Sequence, residues 1–337
     1  MARFDPPDLL EPLGLSTGPG AAALLAAGQA ARLQGGPVAF THLRRVSDGA
    51  ILPAAAAPPI LTTAPPAIPG LPSARPLVMG IVNVTPDSFS GDGIPATAAI
   101  AQGEAMLAAG ADMLDIGGES TRPGAAPVTP EQEAERILPV VQALARLAPV
   151  SIDTRHATTM RAALEAGAMM VNDVSGLRHD PAAAGAVAAA GVPVVLMHMR
   201  DLDPRRMQQD LAEDSYADVA LEVTHYLAAR ITAAEAAGIA RRHILLDPGI
   251  GFGKTVAQNL ALVERLPLLA HLGCWVLLGA SRKGFIGRLG GEPEPARRQA
   301  GSLAVALAGA ARGAAILRVH DVAETVQALR LWRALAG

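Results

Sequence analysis

Eight short apolar runs, each followed by a longer segment of helical period, fill the chain from residue 77 onward and leave few folds open. The runs are 77–83, 112–117, 149–153, 169–173, 193–198, 243–247, 274–280 and 314–319. The helical segments are 97–109, 130–147, 156–166, 180–190, 214–237, 256–271, 297–312 and 322–336. Glycine closes several of these, at Gly110, Gly167, Gly191, Gly238 and Gly273, where a helix C-terminus favours a left-handed residue. Eight βα units in about 260 residues match the count and size of a (β/α)8 TIM barrel. A doubly wound open sheet could also use eight strands, but no Gly-x-Gly-x-x-Gly follows the first run. The barrel, over residues 76–337, is the expected fold of this α/β chain.

Residues 1–75 break the pattern. They form a Pro- and Ala-rich N-terminal extension, densest in proline from Pro53 to Pro76. A short helix is expected at 20–33 and a strand at 37–46, with the remainder loop or polyproline-like linker draped over the barrel domain. Half of the chain is apolar, enough for a large core. The net charge of −3 is too near zero to suggest nucleic acid or an anionic membrane as the main partner, so any anion site must be local. With Cys274 as the single cysteine there is no disulfide framework, which points to the cytoplasm. No apolar run is long enough to span a membrane. Asp5, Asp8 and Glu11 without a basic region argue against a secretory leader.

Most of the apolar runs end in groups that core packing cannot use. Asn83, Asp115, Asp153, Asn172, His198, Asp247, Lys283 and Arg318 all sit at or just past a strand end, the face where barrel active sites lie. Period two places Arg318 and His320 on one side of the last strand, and Ser281-Arg282-Lys283 follows the adjacent strand. Cations converging beside a hydroxyl suit a phosphate, although a structural ion pair would use the same residues. Asp153, Asn172 and Asp247 close three other strands and demand donors. A 2-amino-4-oxo-pyrimidine edge, as in guanine or pterin, offers an N–H and an NH2 side by side to one carboxylate. Metal ligation and turn capping by Asp247 before Pro248-Gly249 are the alternatives. The segments 85–93 and 117–124 are loops at this face, where lids are built. Gly249 to Thr255 superficially suggests a phosphate loop but lacks the Gly-x-x-x-x-Gly-Lys-Thr spacing.

Eight stretches occur in order: Asn83-Val-Thr-Pro-Asp-Ser-Phe-Ser90, Asp115-Ile-Gly-Gly-Glu-Ser-Thr-Arg-Pro-Gly124, Ser151-Ile-Asp-Thr154, Asn172-Asp-Val-Ser-Gly176, Leu196-Met-His-Met-Arg200, Leu246-Asp-Pro-Gly-Ile-Gly-Phe-Gly-Lys254, Gly279-Ala-Ser-Arg-Lys283 and Arg318-Val-His-Asp-Val322. Together they closely resemble the dihydropteroate synthase family over residues 77–337. The resemblance implies a transferase of folate biosynthesis that condenses 6-hydroxymethyl-7,8-dihydropterin pyrophosphate with p-aminobenzoate. Carried over residue by residue, it implies that Asp153, Asn172, Asp247 and Lys283 hold the pterin, with Met197 and Phe252 packed on its ring. Asn83, Arg318 and His320 would bind pyrophosphate, with Mg2+ bridging it to Asn83 and the Asp87 region. Phe89, Thr121, Arg122, Pro123 and Ser281, with Arg282 nearby, would shape the p-aminobenzoate pocket. A homodimer formed through the last helices and competition by sulfonamides are further implications. The extension is longer than the lead-in usual for the family.

Two other readings share part of this pattern. A methyltetrahydrofolate:corrinoid methyltransferase would use the same pterin-holding Asp and Asn residues, but has no use for Ser281-Arg282-Lys283 together with Arg318 and His320. A silent paralogue serving as a scaffold would have lost some of the polar set, and none is missing.

Overall fold

The computed structural model describes residues 9–72, 75–84, 95–119, 128–202, 212 and 215–336. The extension is more ordered than its composition suggests. Strands β1 (Leu10–Leu13), β4 (His42–Arg45) and β5 (Ile51–Pro53) form an antiparallel sheet in the order β1-β4-β5. Strands β2 (Ala31–Arg32) and β3 (Ala39–Phe40) form a second, two-stranded one, with helices α1 (Gly18–Ala26) and α2 (Pro59–Thr62) beside them. The strand expected at 37–46 is therefore two strands, broken at Thr41, each with its own partner. Phe40, Leu43 and Leu61 are fully buried in a small core with Leu33, Val38 and Ala54.

The barrel follows. Strands β6 (Leu77–Asn83), β7 (Met113–Gly117), β8 (Val150–Asp153), β9 (Met170–Asp173), β10 (Val194–Met197), β11 (Ile244–Asp247), β12 (Trp275–Leu278) and β13 (Ile316–Val319) are all parallel, and β13 pairs with β6 to close the ring. Between and after them run α3 (Ala96–Ala108), α4 (Pro130–Leu144), α5 (Ala157–Glu165), α6 (Ala183–Ala190), α7 (Val219–Ala236), α8 (Val256–Glu264), α9 (Gly284–Gly290), α10 (Gln299–Ala310) and α11 (Val322–Ala336). The chain thus folds as the (β/α)8 TIM barrel its pattern predicts.

Local chemistry explains the boundaries. Thr129 and Thr255 open α4 and α8 with capping boxes, each paired with a glutamine three residues on. Asp218 caps α7, so that helix starts later than periodicity alone suggests. The segment expected as one helix at 256–271 is α8 followed by a 3-10 stretch, Leu266–Leu272, because Pro267 has no N–H to continue the α-ladder. The five glycines expected to end helices all have positive φ, from 64° at Gly191 to 112° at Gly167. Helix α9 was not expected: seven residues rich in glycine carry too little pattern to read.

Inside the barrel, Leu77, Met79, Met113, Met170, Val195, Leu245, Leu277 and Ile316 form an apolar lower layer. Two residues of the extension, Ile68 and Leu71, complete it from below. The extension is fastened there by polar contacts as well. Trp275 Nε1 donates to Pro66 O at 2.7 Å, and Arg265 bridges Glu11 of β1 to Asp218, with contacts between 2.7 and 3.1 Å. Above the apolar layer the interior turns polar. Among the described residues no helix is long and apolar enough to cross a membrane.

Candidate active site

Strand register brings the polar residues together at the C-terminal ends of the strands. Asn83 is opposite Gly117, Gly117 opposite Asp153, and Asp153 opposite Asn172; across the ring Met197 is opposite Asp247. Arg318, whose Cα pairs with Met79 four residues before Asn83, sends its side chain up to these groups. Its Nε donates to Asp115 Oδ2 at 2.5 Å and its Nη2 to Asp153 Oδ2 at 2.7 Å. The same Asp115 oxygen accepts from Asn172 Nδ2 at 2.9 Å. One buried carboxylate therefore ties β7 to β9 and β13, and Arg318 carries the tie on to β8. Asp115 Oδ1 has no hydrogen-bond partner among the described residues. With its N–H committed to Asp115, Asn172 offers its carbonyl oxygen as an acceptor.

Asp247, 6% exposed, accepts from the backbone N of Gly249 at 2.7 Å, which leaves its other oxygen for a ligand. Burial raises the pKa of Asp247; burial likewise pushes Asp153 up to about 7, against the pull of Arg318. Lys283 is pushed down to about 8 by burial and by Arg318, with Asp247 and Asp153 opposing. Its Nζ lies 4.0 Å from the centre of the Phe252 ring. Phe252 and Met197 belong to one apolar cluster with Val174 and Met199, a wall beside the polar level. At Gly279 a Cβ would sit 3.5 Å from Asp247 Oδ2 and 3.9 Å from Arg318 Cδ, so the glycine borders these two groups with no side chain of its own.

Ser281 Oγ lies 3.0 Å from His320 Nδ1 and accepts from the His320 backbone N at 3.2 Å, joining the loops after β12 and β13 as the sequence suggests. Arg282 behaves differently. Its φ is +59°, and its guanidinium is bound to Asp321 at 2.5 and 3.2 Å. The cations that gather over the barrel are Lys283 and Arg318, interleaved with Asp115, Asp153 and Asp247. That alternation fits a flat heterocycle with donor and acceptor edges better than a purely positive pocket would. Phe89, Asp87, Thr121, Arg122 and Pro123 lie outside the described residues.

Two residues have roles that the sequence pattern does not announce. Asp115 is a polar strand end to which the sequence assigns no role, and only its contacts with Arg318 and Asn172 place it inside the barrel. Arg155 is the other. Its guanidinium grips both oxygens of Glu119, at 2.9 and 2.8 Å, and also reaches Leu202 O at 3.3 Å. It thereby holds Glu119, the last described residue before the segment with Thr121, Arg122 and Pro123. As for a metal, no group of three or more His, Cys, Asp or Glu side chains among the described residues could hold one. The Asn83 amide, half-buried at the barrel mouth, is a single hard oxygen donor. It fits only an ion that brings most of its ligands with it.

A sequence model described as pterin binding enzyme matches residues 79–320. The dihydropteroate synthase of Neisseria meningitidis serogroup C is 48% identical over 267 residues, covering 77% of this chain and 93% of that one. The Escherichia coli K12 dihydropteroate synthase is 45% identical over 261 residues, covering 76% and 90%. Among solved structures, the Xanthomonas albilineans dihydropteroate synthase with 4-aminobenzoic acid superposes with a TM-score of 0.72 at 52% identity, covering 77% of this chain and 93% of that one. The same enzyme in complex with 7,8-dihydropteroate gives a TM-score of 0.70 at 49% identity, covering 79% and 95%. The barrel, its polar level and these likenesses agree that the chain belongs to the pterin-binding enzyme family, among its dihydropteroate synthases.

Proposed function

We propose that the chain condenses 6-hydroxymethyl-7,8-dihydropterin pyrophosphate with p-aminobenzoate, releasing pyrophosphate, and that the pterin lies on the polar level of the barrel. The observation that carries this is the alternation of Asp247, Asn172 and Asp153 with Lys283 and Arg318, beside the Met197 and Phe252 wall. Asp247 takes the N–H and NH2 of the 2-amino edge, and Asn172 accepts from the same amino group. Lys283 donates to the carbonyl and ring nitrogen. Phe252 and Met197 pack on the ring, and the missing side chain at Gly279 leaves room for it beside Asp247.

The aniline nitrogen is a nucleophile at neutral pH and needs no strong base. The barrier lies in the departing pyrophosphate and in the charge that builds on the exocyclic carbon. Arg318 and His320 bind the pyrophosphate oxygens and stabilise them as they leave, while Ser281 orients His320. Asp153, as the anion, faces the pterin ring and stabilises its cationic form. Mg2+ fits here as an ion carried largely by the pyrophosphate, with Asn83 as a protein donor, and supplies positive charge to the leaving group when bound. Phe89, Thr121, Arg122 and Pro123 cover p-aminobenzoate and keep out water, which would capture a cationic intermediate.

Leu331 and Leu335, 62% and 81% exposed on α11, support a homodimer formed through the last helices. The lone cysteine, which excludes an internal disulfide, supports a cytoplasmic enzyme. The deciding experiment is pyrophosphate release from purified protein given the pterin pyrophosphate and Mg2+, with and without p-aminobenzoate. Release that requires p-aminobenzoate and yields dihydropteroate is expected. Tight pterin binding without turnover would overturn the synthase reading.

A further inference from the structure

The loop after β11 has little of its own to hold it. Gly249, Gly251 and Gly253 have φ of 71°, 76° and 60°, a path that only glycine follows easily. Beneath it lies Lys254, 1% exposed. Its Nζ donates to Gly249 O at 2.8 Å, to Phe252 O at 3.0 Å, and to His198 Nδ1 at 3.0 Å. Three acceptors surround Nζ, one for each N–H of the ammonium form, while burial pushes the Lys254 pKa down to about 7. His198 suits the third place, because burial and the neighbouring Lys254 push its pKa down to about 2 and keep the ring neutral.

Three groups of the pterin site lean on this loop. The Gly249 N–H holds Asp247 Oδ1 at 2.7 Å. Phe252 lies under the Lys283 ammonium. The stem of Lys283 packs against Gly251, where a Cβ would come within 2.9 Å of Lys283 Cδ. The loop also sits directly on the end of β10: a Cβ at Gly249 would be 2.0 Å from His198 O. Asn259 fixes the far side, accepting from Gly251 N at 2.7 Å and donating to Lys254 O and Thr255 O at 3.1 and 2.8 Å.

We infer that Lys254 is a positioning residue of the pterin site: it touches no substrate, and by fastening Gly249 and Phe252 to His198 it sets Asp247, Phe252 and Lys283 in the arrangement that receives the ring. The inference rests on the assignment of those three residues to the pterin.

The test is steady-state kinetics of the full-length Lys254→Met protein with each substrate varied in turn, alongside urea unfolding. The expected result is a rise of about tenfold or more in KM for the pterin pyrophosphate, with KM for p-aminobenzoate within about twofold of wild type. A lysine with a merely structural role would lower the unfolding midpoint and the active fraction, and so kcat, without moving the pterin KM. A folded Lys254→Met protein with an unchanged pterin KM overturns the inference. Should that variant not fold, His198→Leu keeps the lysine and both carbonyl bonds and removes the third acceptor. A raised pterin KM there supports the inference, and an unchanged one overturns it. Asp247→Ala serves as the control. If its pterin KM is unchanged, the site assignment itself has failed. If it rises while that of Lys254→Met does not, only the role of Lys254 has.

Discussion

Asp115 offers the sharpest test of how the site is held together. It is fully buried, and one of its oxygens serves both Arg318 Nε, at 2.5 Å, and Asn172 Nδ2, at 2.9 Å. Asp115→Asn keeps the shape and removes the charge. Arg318 retains its bond to Asp153, so it is not stranded. What it loses is the difference between a charge-assisted and a neutral hydrogen bond, about 1–2 kcal/mol. Weakening the second bond, to Asn172, adds about 1 kcal/mol. The sum of about 2–3 kcal/mol corresponds to a fall of roughly 30- to 150-fold in kcat/KM for the pterin pyrophosphate. Stability should fall less than activity, because the other Asp115 oxygen is buried with no partner among the described residues and the substitution relieves that charge. The assay is pyrophosphate release at varied pterin substrate, with urea unfolding of the same preparation. Activity within about threefold of wild type would refute the idea that Asp115 sets Arg318 and Asn172.

Three further outcomes are expected. Gly279→Ala should raise the pterin KM and leave the urea midpoint near wild type, since the new methyl meets only Asp247 and Arg318 at ordinary contact distance; an unchanged KM would remove Gly279 from the ring's path. Glu133 is buried, and burial raises its pKa from 4.5 to about 7. The folded state thus holds this proton more tightly than the unfolded chain. Stability present below about pH 4.5 is lost as the pH rises through 7, by at most about 3 kcal/mol. Glu133→Gln should shrink that decline, and urea midpoints at pH 5 and 8 that fall as steeply as in wild type would contradict the assignment. Sulfonamides should compete with p-aminobenzoate in steady-state inhibition; a noncompetitive pattern would count against the assigned pocket.

The barrel was legible because each βα unit repeats the same pattern, and because strands buried on both sides read as unbroken apolar runs. The polar level was legible for the same reason in reverse: Asp153, Asn172 and Asp247 interrupt runs that packing alone would have kept apolar. What a side chain does once inside was harder to read. Arg282 and Arg318 looked alike in sequence, yet one is turned to Asp321 by a left-handed backbone and the other is clasped by two carboxylates from distant strands. Those partners lie 39, 203 and 165 residues away, beyond any local pattern. Lys254 was considered only as a phosphate-loop lysine, because nothing nearby in sequence names His198 as its partner. Strands β1, β2 and β5 escaped for another reason, β2 lying where the helix expected at 20–33 stops at Ala26: proline and alanine dominate the extension, and its core is built from few residues.

The way the extension grips the barrel also sets a timetable. Glu11 emerges from the ribosome early, but Arg265, which it binds, follows 254 residues later, and His271, which receives the Leu10 N–H, follows 261 residues later. At about 5–20 residues per second that is a wait on the order of 10–50 s. Throughout it Ile68 and Leu71 have no barrel floor to enter, because β13 has not yet been made to close the ring. The extension, made before the barrel, is thus among the last parts to find its place, and nascent chains stalled before residue 265 should carry it undocked, open to proteases and chaperones.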